Sequence, residues 1–216
     1  FDTLQAVATT QFTGTITVPA SYTLSQKSLN LRLSQFATIN LLTDGTANAA
    51  PSYYTPNIGG ATLLFSVTAI KTVSNGTVYF KNGLSPGATG VAITIPAAPD
   101  ESLPVDNATG VDTTVTFSWT PMTGAIHLLV FSSSGNPQYI VLTSGTSATI
   151  PNLKALGLGL PSAQTYTWAV YGFGPFTSAD DAAGAAGFLS ILTNPTVLTG
   201  DAFYGISASR HFTSAP

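Results

Sequence analysis

The chain of 216 residues carries six Lys and Arg against nine Asp and Glu, a formal net charge of −3, with 44% hydrophobic residues, 7% charged residues and no cysteine. That balance is apolar enough to bury a core and too poor in charge for a disordered chain; without a basic cluster it also excludes binding to a phosphate backbone. The lack of cysteine excludes a disulfide, a thiolate metal site and a thiol nucleophile. Neutral, hydroxyl-rich surfaces oppose self-association weakly and suit an extracellular or cell-surface protein. The sequence starts at Phe1 rather than at a methionine, as expected of a mature chain whose signal peptide has been removed. No apolar run approaches the roughly 18 residues of a transmembrane helix.

Taken in chain order, the elements are strands. FTGTITV (12–18) alternates, and LNLRLSQF (29–36) sets Leu29, Leu31 and Leu33 on one face with Asn30, Arg32 and Ser34 on the other. ATINLL, ATLLFSVTAI (61–70), TVYF and GVAITIP follow, separated by Gly, Pro and Asn. SNGT (74–77) carries the Asn-Gly of a tight hairpin. PAAPDESLP (96–104), with Pro96, Pro99 and Pro104, has the composition of a linker and divides the chain into β-domains at 1–98 and 99–216.

Beyond it, TVTFSWT (114–120), IHLLVFS (126–132), QYIVLT (138–143), SATIP (147–151), YTWAVYGF (166–173) and SASRHFT (207–213) read as further strands. SADDAAGAAGFLSIL (178–192) departs from the pattern: it is Ala-rich, and Ser178 with Asp181 makes a capping-box-like start, which predicts a short helix over about 179–192. The expected fold is all-β, two tandem antiparallel β-sandwich domains with a short helical insertion near 179–192.

The second half resembles a fibronectin type III-like domain of bacterial surface and secreted proteins. NATGVDTTVTFSWTPMTGAIHLLVF resembles the family's opening, with Trp119 inward on strand B. ATIPNL, followed by LGLPSAQTYTWAVYGFG, resembles its E–F region, and SASRHFTSAP its last strand. The resemblance implies that Tyr166 is a tyrosine corner whose hydroxyl bonds back to the chain upstream, with Leu160 six residues before it. It covers roughly 104–216, departing from the family at LKALG and in a long insertion at 174–203. The first half is similar to an Ig-like or carboxypeptidase-regulatory-like sandwich. The fold implies no particular activity.

Nucleophilic catalysis needs a hydroxyl, a base and an orienting carboxylate. His127 and His211 fall on separate predicted strands with no Gly-x-Ser-x-Gly elbow, and read as ordinary strand residues. Asp180 and Asp181 read as helix-dipole partners rather than as a glycosidase pair. No catalytic or cofactor-binding residue is assigned. Asp100, Glu101 and Asp106 are calcium candidates at the domain boundary, where the alternative is a solvated linker. Asn75 and Asn107 head glycosylation sequons.

Interface candidates come from the loops and the chain start. Tyr53 and Tyr54 lie in APSYYTPNIGG (50–60), and Tyr171, Phe173 and Phe176 in YGFGPF (171–176). Such aromatics take as partner a neighbouring domain, another subunit or a glycan, or cap their own core. FDTLQAVATTQFTGTITV (1–18) is apolar enough to add a strand to a neighbour's sheet, making Phe1, Leu4 and Val7 interface candidates. Repeated head to tail, that contact builds a filament; the alternative is that residues 1–11 pack on their own domain. The expected function is a secreted, non-enzymatic structural subunit of a bacterial cell-surface or extracellular fibre or sheath, with copies of itself as partners. The alternatives are a carbohydrate-binding or adhesion module that meets glycans or other surface proteins, and an accessory domain of a secreted hydrolase.

Overall fold

The structure is a computed structural model and describes residues 6–34, 37–176, 178–184, 187 and 200–216. In the first half, β1 (Thr9–Thr17) lies between β4 (Ser52–Pro56), antiparallel, and β7 (Val91–Thr94), parallel. Against this stands an antiparallel run in the order β6 (Asn75–Leu84), β5 (Thr62–Thr72), β2 (Thr23–Ser34), β3 (Ala37–Asp44). The inward residues of both groups make the first core: Phe12 and Ile93 meet Leu29, Leu31, Leu63 and Phe65, each 2% exposed or less. The alternation read from 29–36 holds for Leu29 and Leu31, while Leu33 is 42% exposed near the strand end.

The hairpin between β5 and β6 is present, but its tight loop is Val73-Ser74, with Thr72 paired to Asn75. Asn75 and Gly76 are already inside β6. Asn75 is buried and its Oδ1 accepts from the Tyr22 hydroxyl at 3.1 Å. Gly76 is there for space rather than for a turn, since a Cβ on it would come within 2.8 Å of the Ala69 carbonyl oxygen.

In the second half, β10 (Phe117–Thr120) lies between β13 (Ser147–Ala148) and β8 (Asp100–Leu103). β12 (Tyr139–Thr143), β11 (Ile126–Ser132) and β14 (Thr165–Gly174) form an antiparallel run, which β16 (Arg210–Ser214) and β9 (Ala108–Val111) extend. Phe117 is the hub of the second core, with ring centroids 4.8, 5.0 and 5.4 Å from Phe131, Trp168 and Phe212. The helix α1 (Ala179–Ala183) is as short as Gly184 dictates. Ser178 caps it, its Oγ accepting from the Asp181 N–H at 3.1 Å. Residues 185, 186 and 188–192 of the expected helix lie outside the described residues.

The halves are not strung on a free linker. β15 (Ala202–Ile206) pairs with β14 on one side and with β6 on the other, so one sheet of ten strands runs through both halves. Side chains reinforce the seam: Phe203 stacks on Tyr79 at 5.9 Å, and Asp201 accepts from Lys81 at 2.6 Å. The Pro-rich segment read as a linker is packed into this seam. Ala98, Pro99, Glu101 and Pro104 are buried, Ala98 N–H donates to the Tyr22 hydroxyl at 2.9 Å, and the Pro96 carbonyl accepts from Thr77 Oγ1 at 2.9 Å. Each main core nonetheless draws on one half of the chain. Among the described residues, no helix is long and apolar enough to cross a membrane.

Candidate functional site

The interface candidates do not gather in one place. Phe1 and Leu4 lie outside the described residues. Val7 is 54% exposed. Thr9, Thr10 and Gln11 are paired with Pro56, Thr55 and Tyr54 of their own chain, so this part of the expected donor strand is committed to β4. Tyr53 is a core residue rather than a loop aromatic, stacked on Phe12 at 6.2 Å with its hydroxyl on Asp44 at 2.6 Å. Tyr54, on the opposite face of β4, is 75% exposed. Phe173 is buried with Ile126 and Ala182 in a small third core, onto which Tyr171 and Phe176 pack. The aromatic run at 171–176 therefore caps a core beneath α1.

The calcium candidates are separated by their partners. Asp100 pairs with Lys71 at 2.5 Å, Glu101 is buried against Ser207, and Asp106 accepts from the His211 backbone N–H at 2.7 Å. Among the described residues no group of three or more His, Cys, Asp or Glu is arranged to hold a metal ion. The sequons differ in access. Asn107 is exposed in a turn with φ of 62°, whereas Asn75 is 3% exposed within β6.

His127 and His211 lie on β11 and β16, on either side of β14. His127 is 1% exposed, and its Nε2 accepts from the Met122 N–H at 3.1 Å. Its ring proton is therefore on Nδ1, facing the Gly145 backbone at a geometry short of a full hydrogen bond. Burial lowers its pKa and keeps the ring neutral.

Two buried polar constellations were not anticipated. The first centres on Lys27, whose side chain is fully enclosed. Its Nζ donates to the carbonyls of Thr46 and Asn48 at 2.7 and 3.0 Å and pairs with Asp44 at 3.1 Å. Asp44 also accepts from the Tyr53 hydroxyl and the Thr46 amide, which hold its carboxyl far below the usual carboxylate range, with Lys27 adding to the effect. This knot folds the loop after β3 onto the first core. The sequence did hold a signal, since Lys27 has the parity of Leu29 and Leu31 and so faces inward.

The second constellation lies at the seam. β14 is bordered along one edge by β15 over Tyr171 to Gly174 and by β16 over Thr165 to Trp168. Ser207 fills the fork between them: its N–H donates to the Val170 carbonyl and its Oγ accepts from the Val170 N–H, both at 2.9 Å. The Glu101 carboxyl meets the same Oγ. Arg210 donates to the backbone carbonyls of Glu101, Ser102 and Pro104, clamping β8 to β16.

A cleft of 390 Å³ opens at the far end of the second core, beside Asp112, Asn152, Lys154 and Ser214. Its polar groups serve its walls: Asp112 accepts from Thr114, Asn152 from the Lys154 N–H, and Ser214 donates to the Pro161 carbonyl.

The remaining feature is the pair of sheet edges. Among the described residues β3 and β12 end the principal run of the large sheet on opposite sides. β12 carries no charge, and the one charge of β3, Asp44, is held by Lys27 and Tyr53. Ile39 and Ile140 stand 49% and 57% exposed on these strands. Edges without Lys, Pro or a free charge are templates for pairing with another strand.

The fold thus defines an all-β chain in which buried polar knots hold long sheets together. The sequence matches no protein-family model and no curated protein.

Proposed function

We propose that the chain is a secreted, non-enzymatic structural subunit that assembles with copies of itself into a cell-surface or extracellular fibre or sheath. The observation that carries this reading is the pair of edges, β3 and β12, at opposite sides of one sheet, with no Lys or Pro on either and the one charge, Asp44, held by Lys27 and Tyr53. An edge of one copy added to the other edge of the next is a heterologous contact, which builds an open filament wherever its rotation does not close a ring. Main-chain hydrogen bonds supply the contact, so no side chain has to be chemically activated. The low charge of the chain, 7%, leaves little repulsion to oppose it.

Within this reading the subunit is two tandem β-sandwiches, 1–98 and 99–216, supported by the two main cores. The second is fibronectin type III-like, supported by the burial of Trp119 and Tyr166 in one core. The Tyr166 hydroxyl donates to the Pro137 carbonyl at 3.2 Å, in the β11–β12 connection rather than just upstream in the chain. Electron microscopy and light scattering of the purified chain test the assembly. Polymers of regular width are expected, and a strict monomer at high concentration would refute it.

One observation favours the adhesion reading as a second: the Tyr54 ring is 75% exposed and offers a flat face to a sugar. Binding on a glycan array, lost in Tyr54→Ala, would support it.

A further inference from the structure

Glu101 is the only glutamate in the chain, and it is 5% exposed at the seam between the halves. The hydrogen bonds around its partner bear on its protonation. Ser207 Oγ, itself fully buried, accepts from the Val170 N–H and lies within reach of two acceptors, Glu101 Oε1 and the Ala208 carbonyl. One hydroxyl proton cannot serve both. A proton on Glu101 completes the set: the carboxyl donates to Ser207 Oγ, and Ser207 donates to Ala208. An ionised Glu101 would take the serine proton and leave the Ala208 carbonyl without it. The adjacent cation does not make good the difference, because the Arg210 guanidinium is directed at the carbonyls of Glu101, Ser102 and Pro104.

We propose that Glu101 is a pH-responsive latch: as a neutral acid it locks β8 into the fork of β14, β15 and β16, and on ionisation it loosens the seam between the two halves. The groups facing it fit that role. From β16 comes Arg210, already engaged by backbone. From its own strand comes Asp100, paired to Lys71 of β5. β10 sets Trp119 opposite it, and β14 presents Val170 through Ser207. Burial raises the Glu101 pKa and Asp100 adds a little, while Ser207, the residue's own backbone N–H and Arg210 oppose that in part. A carboxyl raised in the folded state contributes stability that is complete below the ordinary glutamate value of ~4.3 and is lost as pH rises through the folded value.

The single glutamate makes the test direct. The intact chain labelled with ¹³C-glutamate gives one side-chain carboxyl resonance, followed by NMR against pH. The latch predicts a midpoint above the ordinary glutamate value of ~4.3, and a midpoint at or below that value overturns it. The titration is repeated with calcium chloride. An unchanged midpoint is expected, and a calcium-dependent fall overturns the latch in favour of a metal ligand. Thermal unfolding of the wild type and Glu101→Gln, compared from about pH 4 to 8, reads the consequence. The wild-type midpoint should fall relative to the variant as pH rises, and parallel profiles would overturn the proposal.

Discussion

Gly172 of β14 and Gly205 of β15 stand opposite each other in the ladder, and Met122 and Ala98 press onto the space where their side chains would be. A Cβ on Gly172 would lie 2.7 Å from Met122 Sδ, and one on Gly205 would lie 3.0 Å from Ala98 Cα. These glycines make room for the segment that joins the halves. Gly205→Ala should lower stability in urea by about 1–3 kcal/mol, the usual effect of overpacking. Gly59, which has nothing within 4 Å of the corresponding position, should accept alanine without loss. Equal unfolding midpoints for the two variants would show that the seam is not tightly packed.

Lys27 should be among the most sensitive charged positions. Lys27→Met keeps the unbranched stem of the side chain, one atom shorter, but leaves Asp44 without its cation and the Thr46 and Asn48 carbonyls without their donor. Removing one partner of a buried pair typically costs about 3–5 kcal/mol, and urea unfolding measures it. Lys154→Met, at an exposed position, is the control and should leave the midpoint in place.

Asp44 gives the first core an acid limit. The Tyr53 hydroxyl is the largest cause of its low pKa, followed by the Thr46 amide and hydroxyl. Because the folded value lies below the unfolded one, the unfolded chain binds the extra proton. The stabilisation is therefore present above ~4 and is lost as pH falls further. Tyr53→Phe should flatten this dependence. Unfolding midpoints measured from neutral pH down into the acid range test it, and an unaltered slope in the variant would count against the assignment.

The strands were legible because burial on one face imposes a two-residue period, and IHLLVFS is β11 residue for residue. Lys27 was legible by the same parity, two residues before the strand read at 29–36. Glu101 was not legible. PAAPDESLP has the composition of an exposed linker, and its burial depends on Ser207, 106 residues further along the chain. The pairing of Ala202 with Phe80 in the β15–β6 ladder is equally non-local. The Asn-Gly at 75–76 misled for a different reason. That dipeptide signals left-handed turn geometry, but here the glycine answers a close backbone approach and the asparagine a buried tyrosine hydroxyl. What a local window cannot see is which distant strand will supply the neighbour.

The assembly reading makes a prediction about mixtures that a merely sticky surface would not. Ile39→Lys places a charge on the β3 edge and Ile140→Lys on the β12 edge, the device by which natural sheets block edge pairing. Both side chains are about half exposed, so neither substitution should unfold the chain. If β12 of one copy pairs with β3 of the next, each variant alone keeps one competent edge that finds no complement, and each should be monomeric by light scattering. Mixed in equal amounts, they should form a heterodimer, since the free β12 edge of Ile39→Lys meets the free β3 edge of Ile140→Lys. Symmetric pairing of β3 with β3 would instead leave Ile140→Lys dimeric by itself. Polymerisation undiminished in both variants would move the contact away from these edges altogether.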